Sequence, residues 1–271
     1  MQRSVNSFDV FDTLVFRVCD APNDIFYIVA RKFNEIHPDS KIDPTTFVGT
    51  RKQAEHETGG NWEQLYVKLG NLLQLSSNFT DCLLSLELET ELDFIFPVQE
   101  MIERVQDGDI IVSDMYLPEQ FFKLIFKKCK LSKDISLFVC PNGKSNGHIW
   151  EKIKTLGFSI KKHVGDNLHS DVNQPLKYGI PTEHFSSCDF SPSELYWKNH
   201  GEFFLAHAMR FVRLQNNFTK NETLSHMFVE FYTMNVPVLV LYARYVYNLV
   251  QKYGYKNVLF NARDCVYLYY L

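Results

Sequence analysis

Short apolar runs that alternate with helical patterns constrain the fold of this chain more than any other sequence feature. Turn or cap residues bound five such runs, which have the β-branched and aromatic content of buried strands. The runs are Val5–Phe11, Asp109–Ser113, Ile135–Cys140, His163–Gly165 and Thr182–Phe185. Strands that alternate with helices predict a parallel sheet with crossover helices. We therefore predict an α/β fold, a Rossmann-like parallel sheet with helices on both faces.

A segment of about ninety residues separates the first two runs, which is too long for a plain crossover. Its pattern predicts four helices, which start near Pro22, after the cap residue Asp43, at Trp62, and at Asn78 or Thr80. Four helices inserted after a first strand indicate a lid. We predict an α/β core formed by residues 1–18 and 96–192, and an all-helical cap formed by residues 19–95.

The chain changes character after about Ser191, where long amphipathic patterns rich in aromatic residues begin. These patterns predict helices from about Glu194 to Leu214 and from Leu224 to Tyr253. A strand-like run at residues 257–260 follows, and residues 261–271 have the pattern of a turn that opens another helix. We predict that residues 193–271 form a helical extension that leads into a truncated second α/β unit.

Composition narrows the function classes. The formal charge is −4 and the sequence has no basic cluster, which argues against a nucleic-acid partner. The six cysteines have no paired spacing, as in reduced cytosolic thiols. The amino terminus lacks an apolar leader, and Arg244 interrupts an apolar stretch, Val236 to Val250, that is too short to span a bilayer. These features predict a cytoplasmic chain without a membrane span.

Chemically active side chains follow four of the predicted strands, at the edge where open α/β sheets bind ligands. They are Asp9 with Thr13, Ser113, Lys144, and Asp166 with Asp171. Two carboxylates at the last spacing can hold a hard divalent cation. Each residue also has an ordinary interpretation, since Ser113 could cap a helix and Lys144 could be a solvated loop lysine.

The four segments together resemble the signature of the haloacid dehalogenase superfamily, over roughly residues 5 to 185. The superfamily pattern is a strand ending in Asp-x-Asp-x-Thr, a strand ending in Ser or Thr, a lysine before a helix, and Gly-Asp-x-x-x-x-Asp. A narrower resemblance concerns FDVFDTLVFR, LELETELDFIFP, IIVSDMYLP and HVGDNLHSDV, which are similar to predicted hydrolases associated with surface-polysaccharide gene sets. In that subgroup a second domain often follows, and NVLFNARDC resembles its start.

The resemblance implies an enzyme that hydrolyses or transfers a phosphoryl group through an aspartyl-phosphate on Asp9. It implies that Mg²⁺ lies between the Asp9 carboxylate, the main-chain carbonyl of Phe11 and Asp166, with Asp171 close by. Ser113 and Lys144 are implied to bind the phosphoryl oxygens. The expected substrate is a small phosphorylated metabolite such as a sugar phosphate or a nucleotide.

The chain departs from the phosphatase pattern at Phe11, where the superfamily carries an aspartate that protonates the leaving group. Loss of a general acid typically costs about two to four orders of magnitude in rate. Four outcomes stay open: a leaving group that needs no acid, a proton from the lid, transfer to another acceptor, or an inactive domain. An aromatic residue here also resembles true dehalogenases, which use no metal. The two carboxylates Asp166 and Asp171 favour phosphoryl chemistry over dehalogenation.

Substrate contacts are expected from the first strand, the last motif and the lid. We predict Thr13 and Asn167 near the phosphoryl group, and Arg17 and Arg51 as anion contacts of the lid, with surface arginines as the alternative. A catalytically inactive module that docks a second domain beyond the carboxyl terminus is the competing function. Expected partners are therefore the phosphorylated substrate and such a covalent or docked domain.

Overall fold

The computed structural model describes residues 3–216 and 221–259. The chain forms two compact units that divide between Cys188 and Asp189. The first unit contains the predicted core and cap segments, and the second contains the aromatic helices. Each unit is described by itself below.

A five-stranded parallel sheet forms the centre of the first unit, in the order β5-β4-β1-β6-β7. The strands of the unit are β1 Arg3–Phe8, β2 Val15–Arg17, β3 Ile95–Pro97, β4 Ile110–Ser113, β5 Ser136–Val139, β6 Phe158–Gly165 and β7 Thr182–His184. The central strand β1 pairs through Phe8 with Ile111 of β4 and with Val164 of β6. The predicted α/β fold with a parallel sheet is thereby confirmed.

Eight helices accompany these strands in the first unit. They are α1 Asp24–Ile36, α2 Pro44–Thr58, α3 Trp62–Leu73, α4 Ser77–Phe94, α5 Gln99–Arg104, α6 Glu119–Lys128, α7 His148–Thr155 and α8 Gln174–Lys177. Helix α2 begins as its sequence indicates, because the side chain of Asp43 accepts a hydrogen bond from the Thr46 N–H and Pro44 occupies the first turn. The four predicted helices of the insertion are confirmed as α1–α4.

The insertion has its own hydrophobic core, in which side chains from all four helices pack together. Phe33 of α1, Phe47 of α2, Leu65 of α3 and Leu83 of α4 are fully buried members of this core. The two strands β2 and β3, which the sequence did not predict, pair antiparallel at the two ends of the insertion. The helical segment is therefore closed at its base by a short ribbon.

Two strand boundaries differ from prediction. Strand β1 ends at Phe8 and not at Phe11, because the chain turns there and the N–H groups of Leu14 and Val15 both bond to the Val10 carbonyl. Strand β6 begins at Phe158 and not at His163. Its first half is half-buried or exposed, so its composition lacks the apolar run of a central strand.

The described part of the second unit is helical. It contains α9 Pro192–Asn199, α10 Phe203–Leu214, α11 Glu222–Glu230 and α12 Val236–Tyr253. The predicted single helix up to Leu214 is wrong, because the chain breaks at Gly201, whose φ of 82° is left-handed. No strand is described at residues 257–259, and the predicted turn and helix beyond them lie outside the described residues.

Helices α11 and α12 join through a π-helical turn at Phe231–Asn235 into one helix, Glu222–Tyr253. This helix has 32 residues and is long and apolar enough to cross a bilayer, so the prediction that the stretch is too short was wrong in its length. Length and composition alone do not place the helix in a membrane.

Candidate active site

The carboxyl ends of β1, β4 and β6 lie side by side, and chemically active side chains follow all three. Asp9 follows β1 directly, Ser113 is the last residue of β4, and Asp166 follows the last residue of β6. The loop after β5 carries Lys144, and a π-helical turn after β6 carries Asp171. The parallel topology therefore brings residues far apart in the sequence to one edge of the sheet.

The centre of this edge is a cluster of three carboxylates and one ammonium group, in which Asp166 is half-buried and the other three residues are buried. Lys144 Nζ donates to Asp9 Oδ1, and it donates to Asp171 Oδ1 at 2.6 Å. One oxygen from each of Asp9, Asp166 and Asp171 lies within 4.8 Å of the other two. Three carboxylate oxygens at this separation are the donor set of a hard divalent cation such as Mg²⁺. The residues present therefore fit that ion.

The surroundings of the cluster shift the pKa values of its carboxyl groups in different directions. Burial raises the pKa of Asp9 to about 8, against the ammonium of Lys144 and with help from the Asp171 and Asp166 carboxylates. Burial also raises the pKa of Asp166 to about 6, and the carboxylates of Asp12 and Asp171 add to this. Without a cation, both groups therefore hold a proton more tightly than an exposed aspartate does.

Asp171 responds in the opposite direction. Burial acts to raise its pKa, but the hydrogen bond from His163 and the Lys144 ammonium outweigh burial and hold the pKa at about 2. Burial acts to lower the pKa of Lys144, but the carboxylates of Asp9 and Asp171 outweigh burial and raise this pKa. Asp171 is thus the ionised partner of Lys144, and Asp9 is the group that takes up a proton when no cation is bound.

Close packing around Asp171 explains one glycine of the last motif. A Cβ atom on Gly165 would lie 2.4 Å from Cγ of Asp171, so only glycine permits this approach. The turn after Asp9 is also tight, since Asp12 has a left-handed φ of 55°. Thr13 in this turn is fully buried, and its hydroxyl has no hydrogen-bond partner among the described residues.

Comparisons by sequence found no relatives: no family model matches the chain, and no curated protein matches it.

Comparisons of structure found several solved proteins. A protein from Thermotoga maritima described as a beta-phosphoglucomutase is 14% identical, with a TM-score of 0.43 over 66% of this chain and 82% of its own. A 2-haloacid dehalogenase from Pseudomonas syringae pv. Tomato DC3000 is 16% identical, with a TM-score of 0.48 over 69% and 87%. A further dehalogenase is 15% identical, with a TM-score of 0.39 over 67% and 84%.

These values are too low to carry any conclusion about activity. The fold assignment depends instead on the strand order, the helical insertion after the first strand, and the four motif segments at one sheet edge. This arrangement agrees with the fold that the resemblance to the haloacid dehalogenase superfamily implies. The comparisons give no support to the narrower resemblance to hydrolases associated with surface polysaccharides, which stays a prediction.

A network of hydrogen bonds that the sequence did not predict holds the loop that carries Lys144. The carboxylate of Asp114 accepts hydrogen bonds from the Lys144 N–H at 2.6 Å and from the Ser145 N–H at 3.1 Å. Ser113 is buried beside it, and its hydroxyl accepts from the Met115 N–H at 3.3 Å. The two ordinary interpretations are therefore wrong: Ser113 does not cap α6, and Lys144 is not a solvated lysine.

Asn167 has a structural role in the turn that follows β6. Its side-chain oxygen accepts from the His169 and Ser170 N–H groups, at 2.9 and 3.1 Å, and caps the turn that carries Asp171. Its own N–H donates to Asp171 Oδ2 at 3.1 Å. Contact between Asn167 and a substrate stays a prediction.

Phe11 occupies the position of the missing acid and is packed like a core residue. Its ring meets Phe122 edge to face at a centroid distance of 6.3 Å, and the Arg17 guanidinium carbon lies 4.2 Å from its centroid. Arg17 is buried and ion-paired to Glu91 at 2.8 Å. Arg17, which was predicted to contact a substrate anion, is therefore already paired with a carboxylate of the chain. The alternative of a surface arginine is wrong.

Arg51 lies in a second buried network of the insertion. It is fully buried and pairs with Glu87 through two hydrogen bonds of 2.7 and 2.8 Å, and with Glu55 at 3.0 Å. It also bonds to the hydroxyl of Tyr116 at 3.2 Å, on the loop after β4. A surface arginine is again the wrong interpretation, and the structure gives Arg51 a carboxylate partner in place of a free anion site.

Removing the Arg51 charge is expected to destabilise the chain strongly. Arg51→Met keeps much of the side-chain length but leaves Glu87 as a buried carboxylate without its cation, which typically costs about 3–5 kcal/mol. Chemical denaturation measures the loss, with the exposed neighbour Lys52→Met as the matched control. The double variant Arg51→Met, Glu87→Leu should recover most of the stability. Equal stability of the two single variants would contradict the buried ion pair.

The stability of the metal-free protein is expected to fall as the pH rises from about 4 to about 8. The folded-state pKa values of Asp9 and Asp166 exceed the value of 3.8 of an ordinary aspartate, so the folded chain binds more protons in this window. The lowered pKa values of Asp171 and His163 act in the opposite sense, that of Asp171 below about pH 4 and that of His163 below about pH 6.5. The two raised carboxyl groups together outweigh the histidine below about pH 6. Thermal unfolding with a chelator present measures the slope, which should be shallower in Asp9→Asn. Equal slopes in both proteins would contradict the assignment.

Proposed function

We propose that this chain is a magnesium-dependent hydrolase, a phosphatase or phosphotransferase that acts through an aspartyl-phosphate on Asp9. The observation that carries the proposal is the cluster at the sheet edge, where Lys144 bonds to Asp9 and Asp171 and where Asp166 completes three converging carboxylates. A cluster of this composition supports binding of one divalent cation and one phosphoryl group.

The side chains divide the reaction between them. An oxygen of Asp9 attacks phosphorus while the bond from phosphorus to the leaving-group oxygen breaks. Water or another acceptor then attacks the same phosphorus and releases the Asp9 carboxylate. Lys144, buried beside Asp9, stabilises the charge on the phosphoryl oxygens as transfer proceeds, and the Ser113 hydroxyl can donate to one of them. Asp9, Asp166 and the Phe11 carbonyl would hold Mg²⁺, with Asp171 in support, and the ion offsets the repulsion between nucleophile and substrate.

A cavity of about 370 Å³ lies between α2 and the loops that carry Asp114 and Asn142. The residues of the carboxylate cluster do not line it, so it supports a place for the leaving group of a small substrate and not for the phosphoryl group. Lys52, Glu55 and His56 of α2 line one side of the cavity, and Asp114 and Asn142 of the core loops line the other. Its polar lining is that expected for a hydroxylated or charged leaving group. A sugar phosphate or a nucleotide is the substrate class that we propose, and the missing acid at Phe11 favours leaving groups that need no proton, such as those of anhydrides.

The test is a turnover assay with and without Mg²⁺ on sugar phosphates, nucleotides, acetyl phosphate and p-nitrophenyl phosphate. The proposal expects activity that requires the metal and stops on addition of a chelator. A complex with beryllium fluoride and Mg²⁺ should carry the fluoride group on the Asp9 carboxylate. Metal-independent activity on halogenated acids would instead indicate dehalogenation, for which the three converging carboxylates have no use.

A catalytically inactive binding module is the second candidate, and Phe11 is the observation that favours it. A phenylalanine packed against Phe122 cannot move a proton in either step. This candidate expects no turnover on the whole panel and no heat of Mg²⁺ binding in calorimetry. Heat of Mg²⁺ binding without turnover would indicate an intact metal site whose reaction is not among those assayed. This result would contradict the inactive module.

A further inference from the structure

A chain of buried hydrogen bonds lies beneath the carboxylate cluster and ends at Asp171. Ser7 Oγ and His163 Nδ1 are 2.8 Å apart, and His163 Nε2 lies 3.0 Å from Asp171 Oδ1. Ser7 and His163 are both fully buried, and they lie on the paired strands β1 and β6. His163 is the first residue of the segment HVGDNLHSDV and Ser7 lies outside the quoted segments, but the sequence assigned a role to neither, and neither lines the proposed substrate cavity.

The partners determine the protonation of this histidine. Ionised Asp171 can only accept, so His163 Nε2 must carry the hydrogen. His163 Nδ1 forms the second hydrogen bond of the ring, with the Ser7 hydroxyl, so both ring nitrogens have a partner.

His163 donates one of three hydrogen bonds that hold the Asp171 carboxylate in place. Oδ1 of Asp171 accepts from His163 and from Lys144 Nζ, at 3.0 and 2.6 Å, while Oδ2 accepts from the Asn167 N–H at 3.1 Å. The indole ring of Trp150, itself buried, meets the imidazole edge to face at 4.8 Å. The packed indole and the two hydrogen bonds leave the imidazole one orientation. The imidazole therefore holds the oxygen to which Lys144 is anchored.

We propose that His163 is a positioning residue of this site, which holds Asp171 so that Asp171 can orient Lys144 toward Asp9 and support the cation. The inference rests on the proposed function for its role in the reaction. The arrangement of the hydrogen bonds can be tested without turnover. Its physical basis is that partners behind a metal-site carboxylate fix its orientation, and that their loss commonly costs 10–100-fold in metal affinity or activity.

Two substitutions separate positioning from simple packing. His163→Leu fills the space but removes the donor, whereas His163→Gln can place an amide N–H near the former Nε2. Calorimetric titration with Mg²⁺ alone is expected to show affinity weakened about 10–100-fold in the leucine variant and within about threefold of wild type in the glutamine variant. Thermal unfolding of both variants identifies any general loss of structure. Equal Mg²⁺ affinity in all three proteins, or equal loss in both variants, would overturn the proposal.

A second measurement tests the arrangement where Mg²⁺ binding itself is absent. Long-range proton–nitrogen correlation spectra of the metal-free wild-type protein should show a hydrogen on Nε2 of His163, the nitrogen that faces Asp171. Ser7→Ala, which removes the hydroxyl partner, should change the Nδ1 shift of this ring and of no other histidine. A ring without a hydrogen on Nε2 would overturn the proposal. Failure of the proposed function alone would instead give the expected spectrum with no Mg²⁺ affinity in the wild type.

Discussion

Replacement of Asp9 by asparagine is expected to lower kcat for magnesium-dependent phosphoryl transfer by roughly 10⁴- to 10⁶-fold. The amide has nearly the volume of the carboxylate, but it is not nucleophilic toward phosphorus. It also removes one of the three carboxylate charges that converge at the proposed cation site. Asp171 is held away from the attack, because its oxygens are hydrogen-bonded to Lys144, His163 and Asn167.

Initial rates with acetyl phosphate and p-nitrophenyl phosphate at saturating Mg²⁺ measure this effect. Asp107→Asn is the matched control, since this exposed aspartate undergoes the same chemical change away from the cluster and should keep full activity. Asp9→Ala guards against slow deamidation of the asparagine back to aspartate. An Asp9→Asn enzyme that kept a tenth or more of the wild-type rate would mean that the nucleophile lies elsewhere.

The sequence was sufficient for the sheet and the helical insertion because both have a strong periodic signal. The sequence pattern was misleading where a strand of the sheet contains exposed, polar residues. Strand β6 starts with residues that are partly exposed, among them Lys161 and Lys162, so the pattern indicated only its buried end at His163–Gly165. The ribbon of β2 and β3 was missed because its strands are only three residues long and far apart in the chain.

The residues of the site were easier to predict from the sequence than the hydrogen bonds between them. Asp9, Lys144, Asp166 and Asp171 follow strand ends, and the topology of a parallel sheet necessarily places strand ends together. Hydrogen-bond partners carry no such rule, as the 156-residue separation of Ser7 and His163 shows.

The two arginines that were predicted to contact a substrate anion show the same limit. Arg17 and Arg51 were assigned to anions because an arginine by itself indicates an anion contact. Their partners Glu91 and Glu87 come from α4, at separations of 74 and 36 residues. One available signal was the spacing of these glutamates, since residues four apart on a helix share a face and here share the buried one.

Phe11→Asp is expected to raise kcat/KM for alkyl phosphate esters by about 10²- to 10⁴-fold and to leave that for acetyl phosphate nearly unchanged. An alkoxide leaving group needs a proton as its bond to phosphorus breaks, whereas the carboxylate that leaves acetyl phosphate is stable without one. The wild-type chain, with phenylalanine at this position, should show the converse, a large preference for the anhydride over the alkyl ester.

The gain is expected to depend on pH because of Arg17. Its guanidinium carbon lies 4.2 Å from the centroid of the Phe11 ring, so it would lie beside the new carboxyl group and lower its pKa. A general acid must be protonated to act, so the advantage over wild type should grow as the pH falls. Phe11→Asn is the matched control, because it makes the same hole against Phe122 without a transferable proton. Equal rates for the two variants on an alkyl ester would mean that the missing acid is not what limits this chain.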